Sequence, residues 1–234
     1  MTLPGAVRVV LLDIEGTTTP IAFVHDRLFG YVRSHLPQYV ASHWNDAPVR
    51  DVIRQLNDER APEGWNPIAD PDALLGVVRD LMDRDRKSPG LKMLQGLIWE
   101  DGYQAGELRG EVFDDVPVAM RLWRSEGREI AIYSSGSEMA QRRLFESTAV
   151  GDLTPLIKAF FDTRVGAKVE VNSYTKIAQA LGQPASSILF VSDVTAELRA
   201  ARAAGLDVVL SVRPGNSPQT DAHLFPAVST LTGI

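Results

Sequence analysis

The sequence predicts an α/β fold in which a parallel sheet is interrupted, after its first strand, by an insertion made only of helices. Two observations predict it. An apolar, β-branched run over residues 7–12 is typical of a buried strand, and short apolar strands alternate with helical segments from residue 116 onward. Such alternation is typical of βαβ units. Between these two parts, apolar residues recur at helical spacing without a convincing strand.

Composition limits the classes of function. A chain of 234 residues, 44% of them apolar, can bury a sizeable core. Its net charge of −6 argues against a protein that binds duplex nucleic acid, and the absence of cysteine excludes disulfides, thiolate metal sites and a cysteine nucleophile. The first residues lack the basic segment of a secretory signal, and no apolar run approaches the ~20 residues of a membrane span. We therefore expect a cytoplasmic protein that acts on a small molecule, with no nucleic-acid or membrane partner.

The first strand ends in a cluster of polar residues. Residues 7–12 are followed by Asp13, Ile14, Glu15, Gly16 and three threonines. Side chains alternate along extended chain, so Asp13 and Glu15 share one side while Ile14 turns to the core. Open α/β sheets bind ligands at the carboxyl ends of their strands, where these two acids would converge. The alternative is that they are turn acids and that the threonines cap a helix.

The insertion is predicted to contain four helices in succession. Their apolar positions are Val24, Leu28, Tyr31 and Val32; Val49, Val52, Ile53 and Leu56; Leu74, Leu75, Val78, Leu81 and Met82; and Leu91, Leu94, Leu97 and Ile98. Pro37, residues 61–71 and residues 88–90 are expected to separate the helices, because Pro and Gly break helices or begin them. Residues 102–115, which contain glycines, are expected to be a linker that returns to the sheet.

The remaining elements are predicted from the alternating pattern. Strands are expected at residues 129–133, 159–161, 187–191 and 207–212, and helices at 116–126, 137–148, 172–181 and 195–204. Residues 218–234 are expected to hold one last short helix and some irregular chain. We accordingly predict a catalytic core formed by residues 1–19 and 116–234, and a helical cap formed by residues 20–115.

Polar residues follow two later strands as well. The strand at 129–133 is followed by S-S-G-S and a helix, so Ser134 and Ser135 could bind a phosphate at the helix N-terminus, or could simply cap the helix. Lys168 lies in the next loop at the same sheet edge, where a lone lysine is usually solvated, and no Walker glycine spacing precedes it.

A third acid, Asp193, follows the strand at 187–191, and its simpler role would be a helix cap. Two carboxylates, a backbone carbonyl and waters would suit Mg²⁺, which prefers oxygen ligands. The four histidines show no paired metal-ligand spacing, and we expect them to be surface or core residues.

These motifs resemble a known family. D-x-E-G-T, S-S, a loop lysine and S-D, in that order, resemble the four motifs of haloacid-dehalogenase-type phosphohydrolases. Within them, D-I-E-G-T-T-T-P-I, L-Q-G-x-I-W-x-x-G-Y, Y-S-S-G-S, F-D-T-x-x-G-x-K-V-E and V-R-P-G-N are similar to the enolase-phosphatases of methionine salvage. The resemblance covers residues 7–216, and Glu15 in place of the usual Asp is a mark of that subfamily. It implies a Rossmann-like parallel-sheet core of the haloacid-dehalogenase type with an inserted all-helical cap.

The resemblance also implies roles for the acids. Asp13 would attack phosphorus and form an aspartyl-phosphate, and Glu15 would be the general acid and base. One Mg²⁺ per subunit would be held by the Asp13 carboxylate, the Glu15 backbone carbonyl and Asp193. The phosphoryl oxygens would be bound by Ser134, Ser135 and Lys168.

The substrate implied is a 2,3-diketo-5-methylthiopentyl 1-phosphate, which is enolised and dephosphorylated to the acireductone 1,2-dihydroxy-3-keto-5-methylthiopentene. Apolar cap side chains would contact its methylthio tail, and the candidates are Phe23, Trp44, Trp65, Met93 and Trp99. A monomer is implied. Two alternatives are a phosphatase or dehalogenase acting on another small molecule, of which the dehalogenase needs no metal, and a non-catalytic phosphate-binding module.

Overall fold

The computed structural model describes residues 6–86 and 88–234. The chain divides into two compact units: one contains the first strand together with Arg109–Ile234, and the other is His25–Leu108. The sequence-based limits of the cap, residues 20 and 115, stay a prediction. Among the helices of the described residues, none combines the length and apolar character needed to cross a membrane.

The first unit is built on a parallel sheet, which confirms the predicted α/β class. Within the described residues the sheet has six strands: β1 (Val9–Leu12), β2 (Glu129–Tyr133), β3 (Ala159–Phe161), β4 (Ile188–Ser192), β5 (Asp207–Ser211) and β6 (Ala227–Val228). Their order is β3-β2-β1-β4-β5-β6, and every pairing is parallel. The predicted strands are confirmed to within two residues, whereas the two-residue β6 is too short for its sequence pattern to predict.

Strand β1 lies in the middle of the sheet. It pairs with β2 on one side and β4 on the other, so that Leu12 is level with Ile132 and Val191. All four residues of β1 and all five of β4 are buried, as expected of continuous apolar strands covered on both faces. The chain order reverses direction between β1 and β4, which is the switch point where such sheets leave a crevice. The residues following these strands therefore meet in one place.

Helices connect the strands. They are α5 (Asp115–Ser125), α6 (Glu138–Glu146), α7 (Val171–Leu181) and α8 (Thr195–Ala203). Helix α6 is capped by the residue before it, Ser137, whose hydroxyl accepts a hydrogen bond from the Ala140 N–H at 3.2 Å. Helix α7 ends at Gly182, where φ is +65°.

The second unit consists of helices, as predicted. Within its described residues these are α1 (Phe29–His43), α2 (Ala47–Glu63), α3 (Pro71–Asp83) and α4 (Pro89–Gln104). Helices α3 and α4 both begin with a proline, and each is capped by the residue before it: Asp70 accepts from the Ala73 N–H and Ser88 from the Leu91 N–H. Proline and capping signals therefore locate both starts.

Two expectations within this unit were wrong. Pro37 lies inside α1 instead of ending a helix, because the burial of Leu36 and Val40 on either side outweighs one lost backbone hydrogen bond. Gly102 lies inside α4 and not in a linker. A Cβ at Gly102 would stand 2.7 Å from the Tyr31 ring, so this glycine permits the close approach of another side chain.

A second glycine of α4 gives a test of this packing. We expect Gly90→Ala to lower the free energy of unfolding by about 1–3 kcal/mol, as overpacking does. A Cβ there would lie 2.6 Å from Leu56 Cγ and 3.1 Å from the Leu56 backbone nitrogen, and Leu56 is fully buried. Urea unfolding followed by circular dichroism measures the change. In Gly76→Ala, the matched control in α3, a Cβ meets nothing within 4 Å, and stability should rise by up to about 1 kcal/mol. Equal effects in both variants would contradict the close approach.

Candidate active site

Asp13 directly follows β1 and lies at the centre of the site. Its backbone N–H donates to the Val191 carbonyl at 3.0 Å, which fixes the residue against β4. Its carboxylate is buried. Oδ1 accepts a hydrogen bond from the Ile14 N–H at 2.7 Å, and Oδ2 lies 3.2 Å from Ser192 Oγ. The carboxylate is thereby held in one orientation, which is what a nucleophile in a fixed site requires.

Lys168 is buried beside Asp13, not solvated as a lone loop lysine usually is. Its ammonium lies 2.6 Å from Asp13 Oδ1 and 2.7 Å from Glu197 Oε2. Burial by itself would lower the pKa of this lysine, but the Asp13 and Glu197 carboxylates raise it above its ordinary value. The Lys168 carbonyl accepts from the Tyr174 hydroxyl at 2.6 Å. The structure therefore brings a fixed positive charge to the Asp13 carboxylate.

Glu197 and Ser192 are part of this cluster, although sequence reasoning did not single them out. Glu197 is in the first turn of α8, where acids are common because the helix dipole stabilises a negative charge. Nothing in the sequence therefore distinguished it as a site residue. Ser192 Oγ lies 2.8 Å from Glu197 Oε2 and bridges it to Asp13. Burial, and then the charge of Asp13, raise the pKa of Glu197. Ser192 and Glu197 lie next to Asp13 because β4, which ends at Ser192, is the neighbour of β1 in the sheet.

Asp193 follows β4 and packs against Gly16. A Cβ at residue 16 would lie 2.4 Å from Asp193 Oδ2, and φ of Gly16 is +68°, so both space and backbone conformation require glycine here. Burial, and then the charge of Asp13, raise the pKa of Asp193 to about 7. Both burial and the neighbouring negative charge therefore disfavour the ionised form of the Asp193 carboxylate.

The donor set fits a hard divalent cation. Three buried carboxylates, Asp13, Asp193 and Glu197, face one buried ammonium, Lys168, and an added positive charge would offset the difference. Within the described residues, no three or more His, Cys, Asp or Glu side chains form a complete metal cluster. A cation here would rely on one or two carboxylates, a backbone carbonyl and water, which is how Mg²⁺ is usually held.

Glu15, Ser134 and Ser135 lie at the same edge of the sheet. Glu15 is half-buried, and its backbone forms a β-bridge with Thr19. Ser134 follows β2 and is half-buried, its N–H donating to the Phe161 carbonyl at 3.1 Å, whereas Ser135 is exposed. The ends of β1 and β2 are level in the sheet, so the loops that carry these three residues leave the same sheet edge as Asp13.

The loop that carries these serines is held in place by hydrogen bonds from a side chain of α6. Gln141 is buried, and its Nε2 donates to the carbonyls of Gly136 and Phe161 at 2.8 Å each. The Ser134 hydroxyl accepts from the Gly136 N–H at 3.3 Å. A shaped loop that carries hydroxyls at a helix N-terminus can bind an anion.

The loop after β1 is fixed by Arg213. Its guanidinium makes a two-pronged ion pair with Asp115, both N–O distances being 2.9 Å, and its Nε donates to the Thr17 carbonyl at 3.2 Å. The Thr18 hydroxyl donates back to the Asp13 carbonyl at 3.1 Å. Thr18 thus helps to close the loop that follows β1.

Comparison with known proteins identifies the family of this chain. The family model of the haloacid dehalogenase-like hydrolases matches residues 7–205. "Enolase-phosphatase E1" of Drosophila persimilis is 46% identical over 93% of this chain and 90% of its own. The protein of the same name from Drosophila virilis is 43% identical, over 100% and 98%. A Populus trichocarpa protein, "Probable bifunctional methylthioribulose-1-phosphate dehydratase/enolase-phosphatase E1", is 43% identical over 97% of this chain and 47% of its own.

Solved structures share the fold. The UTR4 protein of Saccharomyces cerevisiae superposes with a TM-score of 0.80 at 33% identity, over 96% of this chain and 98% of that one. The L-2-haloacid dehalogenase RSc1362 shares the fold alone, with a TM-score of 0.56 and 18% identity over 97% of this chain and 96% of its own. On the family model and on the identity with these relatives, the chain belongs to the haloacid dehalogenase-like hydrolases and, within them, to the enolase-phosphatases.

Proposed function

We propose that this chain is a magnesium-dependent enolase-phosphatase. It would convert 2,3-diketo-5-methylthiopentyl 1-phosphate to the acireductone 1,2-dihydroxy-3-keto-5-methylthiopentene and phosphate, a step of methionine salvage. The names of the relatives support the enolase-phosphatase activity, and the resemblance of the sequence motifs implies the substrate. The observation that carries the proposal is the buried Asp13 carboxylate with the Lys168 ammonium 2.6 Å away.

Asp13 is the proposed nucleophile. Its Oδ1 is bound by Lys168 and the Ile14 N–H, whereas Oδ2 has, among the residues that the structure describes, only the longer contact to Ser192, so Oδ2 is the freer oxygen for attack. Attack would form an O–P bond and break the bond between phosphorus and the substrate oxygen. Water would then cleave the aspartyl-phosphate and restore the carboxylate.

The other site residues would stabilise charge and move protons. Lys168, Ser134 and Ser135 would bind the phosphoryl oxygens, since positioning and electrostatics supply most of the rate in phosphoryl transfer. Glu15 would protonate the leaving oxygen and then activate water, a role that typically contributes ~10²–10⁴-fold. Mg²⁺, one per subunit, held by Asp13, the Glu15 carbonyl and Asp193, would supply positive charge that offsets repulsion between the carboxylate and the ester.

The proposal extends to the cap, the assembly and the location. Residues 20–115 would form the cap. Trp44, Trp65 and Trp99 pack against the apolar core of the helical unit, whereas Met93 is 41% exposed, which favours Met93 among the candidates for contact with the methylthio tail. The protein would act as a monomer in the cytoplasm.

A two-product assay tests the proposal. The purified protein is mixed with the diketo phosphate and Mg²⁺, and inorganic phosphate and acireductone absorbance are recorded together, with and without EDTA. Both products should appear, and chelation should suppress both. Phosphate from generic esters without acireductone would move the assignment to another phosphatase, and activity that survives EDTA would point to a metal-free hydrolase. No phosphate from any ester would favour a binding module.

A further inference from the structure

The loop after β5 contacts the loop that follows β1, at a point the mechanism does not use. Asn216 Nδ2 donates hydrogen bonds to the Gly16 carbonyl at 2.9 Å and to the Ser211 carbonyl at 3.2 Å. Both acceptors are backbone carbonyl oxygens, which cannot donate a hydrogen bond. The side of the amide that faces them must therefore be its nitrogen, and the other side its oxygen.

The amide oxygen is left facing the carboxylate of Asp193. A Cβ at Gly16 would lie 3.0 Å from Asn216 Oδ1 and 2.4 Å from Asp193 Oδ2, so the two oxygens border the same space beside Gly16. Asn216 Oδ1 is buried, and no donor among the described residues reaches it. A buried acceptor is normally satisfied, so its donor is a water molecule or a group that the site binds.

A hydrated divalent cation satisfies both oxygens at once. Its charge offsets the buried carboxylates, and its water molecules are hydrogen-bond donors for an amide oxygen. A bound anion satisfies neither, because an anion would be repelled by Asp193 and offers the amide oxygen no proton. Partners of this outer kind typically change metal affinity when they are removed.

We propose that Asn216 is a positioning residue for the divalent cation. Its amide oxygen accepts a hydrogen bond from the hydration shell of the ion, while its amide nitrogen holds the Gly16 carbonyl beside Asp193. The inference rests on the proposed function for the presence of a cation, and adds a residue from the V-R-P-G-N segment to the site.

Cation binding without substrate tests this role. Mn²⁺ is titrated into the protein, and free Mn²⁺ is followed by electron paramagnetic resonance. Asn216→Ala should raise the dissociation constant for Mn²⁺ by about 10–100-fold, the usual effect of losing an outer partner. Asn216→Asp keeps an acceptor oxygen and should restore part of the affinity, but not all of it, because it loses the donors to the Gly16 and Ser211 carbonyls.

Ser211→Ala is the matched control. The Ser211 hydroxyl donates to the same Gly16 carbonyl at 3.1 Å, but its removal leaves the amide oxygen of Asn216 in place. It should leave Mn²⁺ affinity nearly unchanged. Equal losses in Ser211→Ala and Asn216→Ala, or a loss in Asn216→Asp as large as in Asn216→Ala, would show that Asn216 only supports the loop, and would overturn the proposal.

The two proposals fail in different ways. Unchanged Mn²⁺ affinity in Asn216→Ala, in a protein that still forms acireductone and phosphate, would overturn only the role of Asn216. Absence of any Mn²⁺ binding by the unsubstituted chain, together with no product, would overturn both.

Discussion

Asp13→Asn should abolish release of phosphate from the diketo phosphate, lowering kcat by about 10⁴-fold or more, as removal of a nucleophile does. An amide of the same shape keeps an oxygen for the Ile14 N–H and for Lys168, so the site should stay folded, but the amide cannot form an acyl phosphate. Acid-quenched protein incubated with ³²P-labelled substrate provides a direct measurement. The unsubstituted chain should retain label that hydroxylamine removes, and the variant should retain none.

The exposed Asp207 offers a control for this substitution. It begins β5, at the end of the strand remote from the site, and Asp207→Asn should keep full activity and labelling. Label retained by Asp13→Asn would mean that another residue is phosphorylated. Unlabelled protein with normal phosphate release from both variants would point to direct attack by water.

Lys168→Met should lower both stability and activity. It removes the only ammonium that contacts the Asp13 and Glu197 carboxylates among the described residues, and leaves two buried acids facing each other. Breaking a buried ion pair by removing one partner costs about 3–5 kcal/mol of unfolding free energy. Urea unfolding measures this loss, and kcat/KM for phosphate release should fall as well, because the phosphoryl oxygens lose a positive charge.

Two further variants test whether the loss of stability comes from the uncompensated charge and from the burial of this ion pair. Lys168→Met combined with Glu197→Gln should recover part of the stability, because one of the uncompensated carboxylates is gone, without recovering activity. Lys158→Met removes an exposed ion pair with Glu129 of similar length, 2.7 Å, and should cost no more than about 1 kcal/mol. If the Lys168 and Lys158 substitutions cost the same, the buried arrangement of Lys168 would be contradicted.

Periodicity predicted the fold well wherever an element is long or wholly buried. Strands β2 and β3 begin and end at the predicted residues, and β1, β4 and β5 differ by a residue or two, because continuous apolar runs have a single interpretation in a parallel sheet. Proline and glycine were less reliable. Pro37 and Gly102 looked like breaks, yet both lie inside helices, since burial and close packing outweighed their local preference.

The site was predictable in part for the same reason. Asp13 and Asp193 follow apolar strands, and parallel strands bring their carboxyl ends to one edge. The roles of Glu15, Ser134 and Ser135 stay predictions. Glu197 and Ser192 could not be selected, because an acid in a first helical turn and a serine at a strand end are common in any α/β chain.

The sequence by itself determined the parallel sheet, the helical insertion, the positions at which polar residues leave the strands, and the resemblance to the enolase-phosphatases. Only the tertiary structure decided that Lys168 is buried between two acids and that Asn216 turns an unpaired oxygen toward Asp193. The reason is physical: Ser192 and Asp13 are 179 positions apart, and Asn216 and Gly16 are 200 apart. Local propensity acts over a few residues, whereas these contacts depend on which strands become neighbours in the sheet.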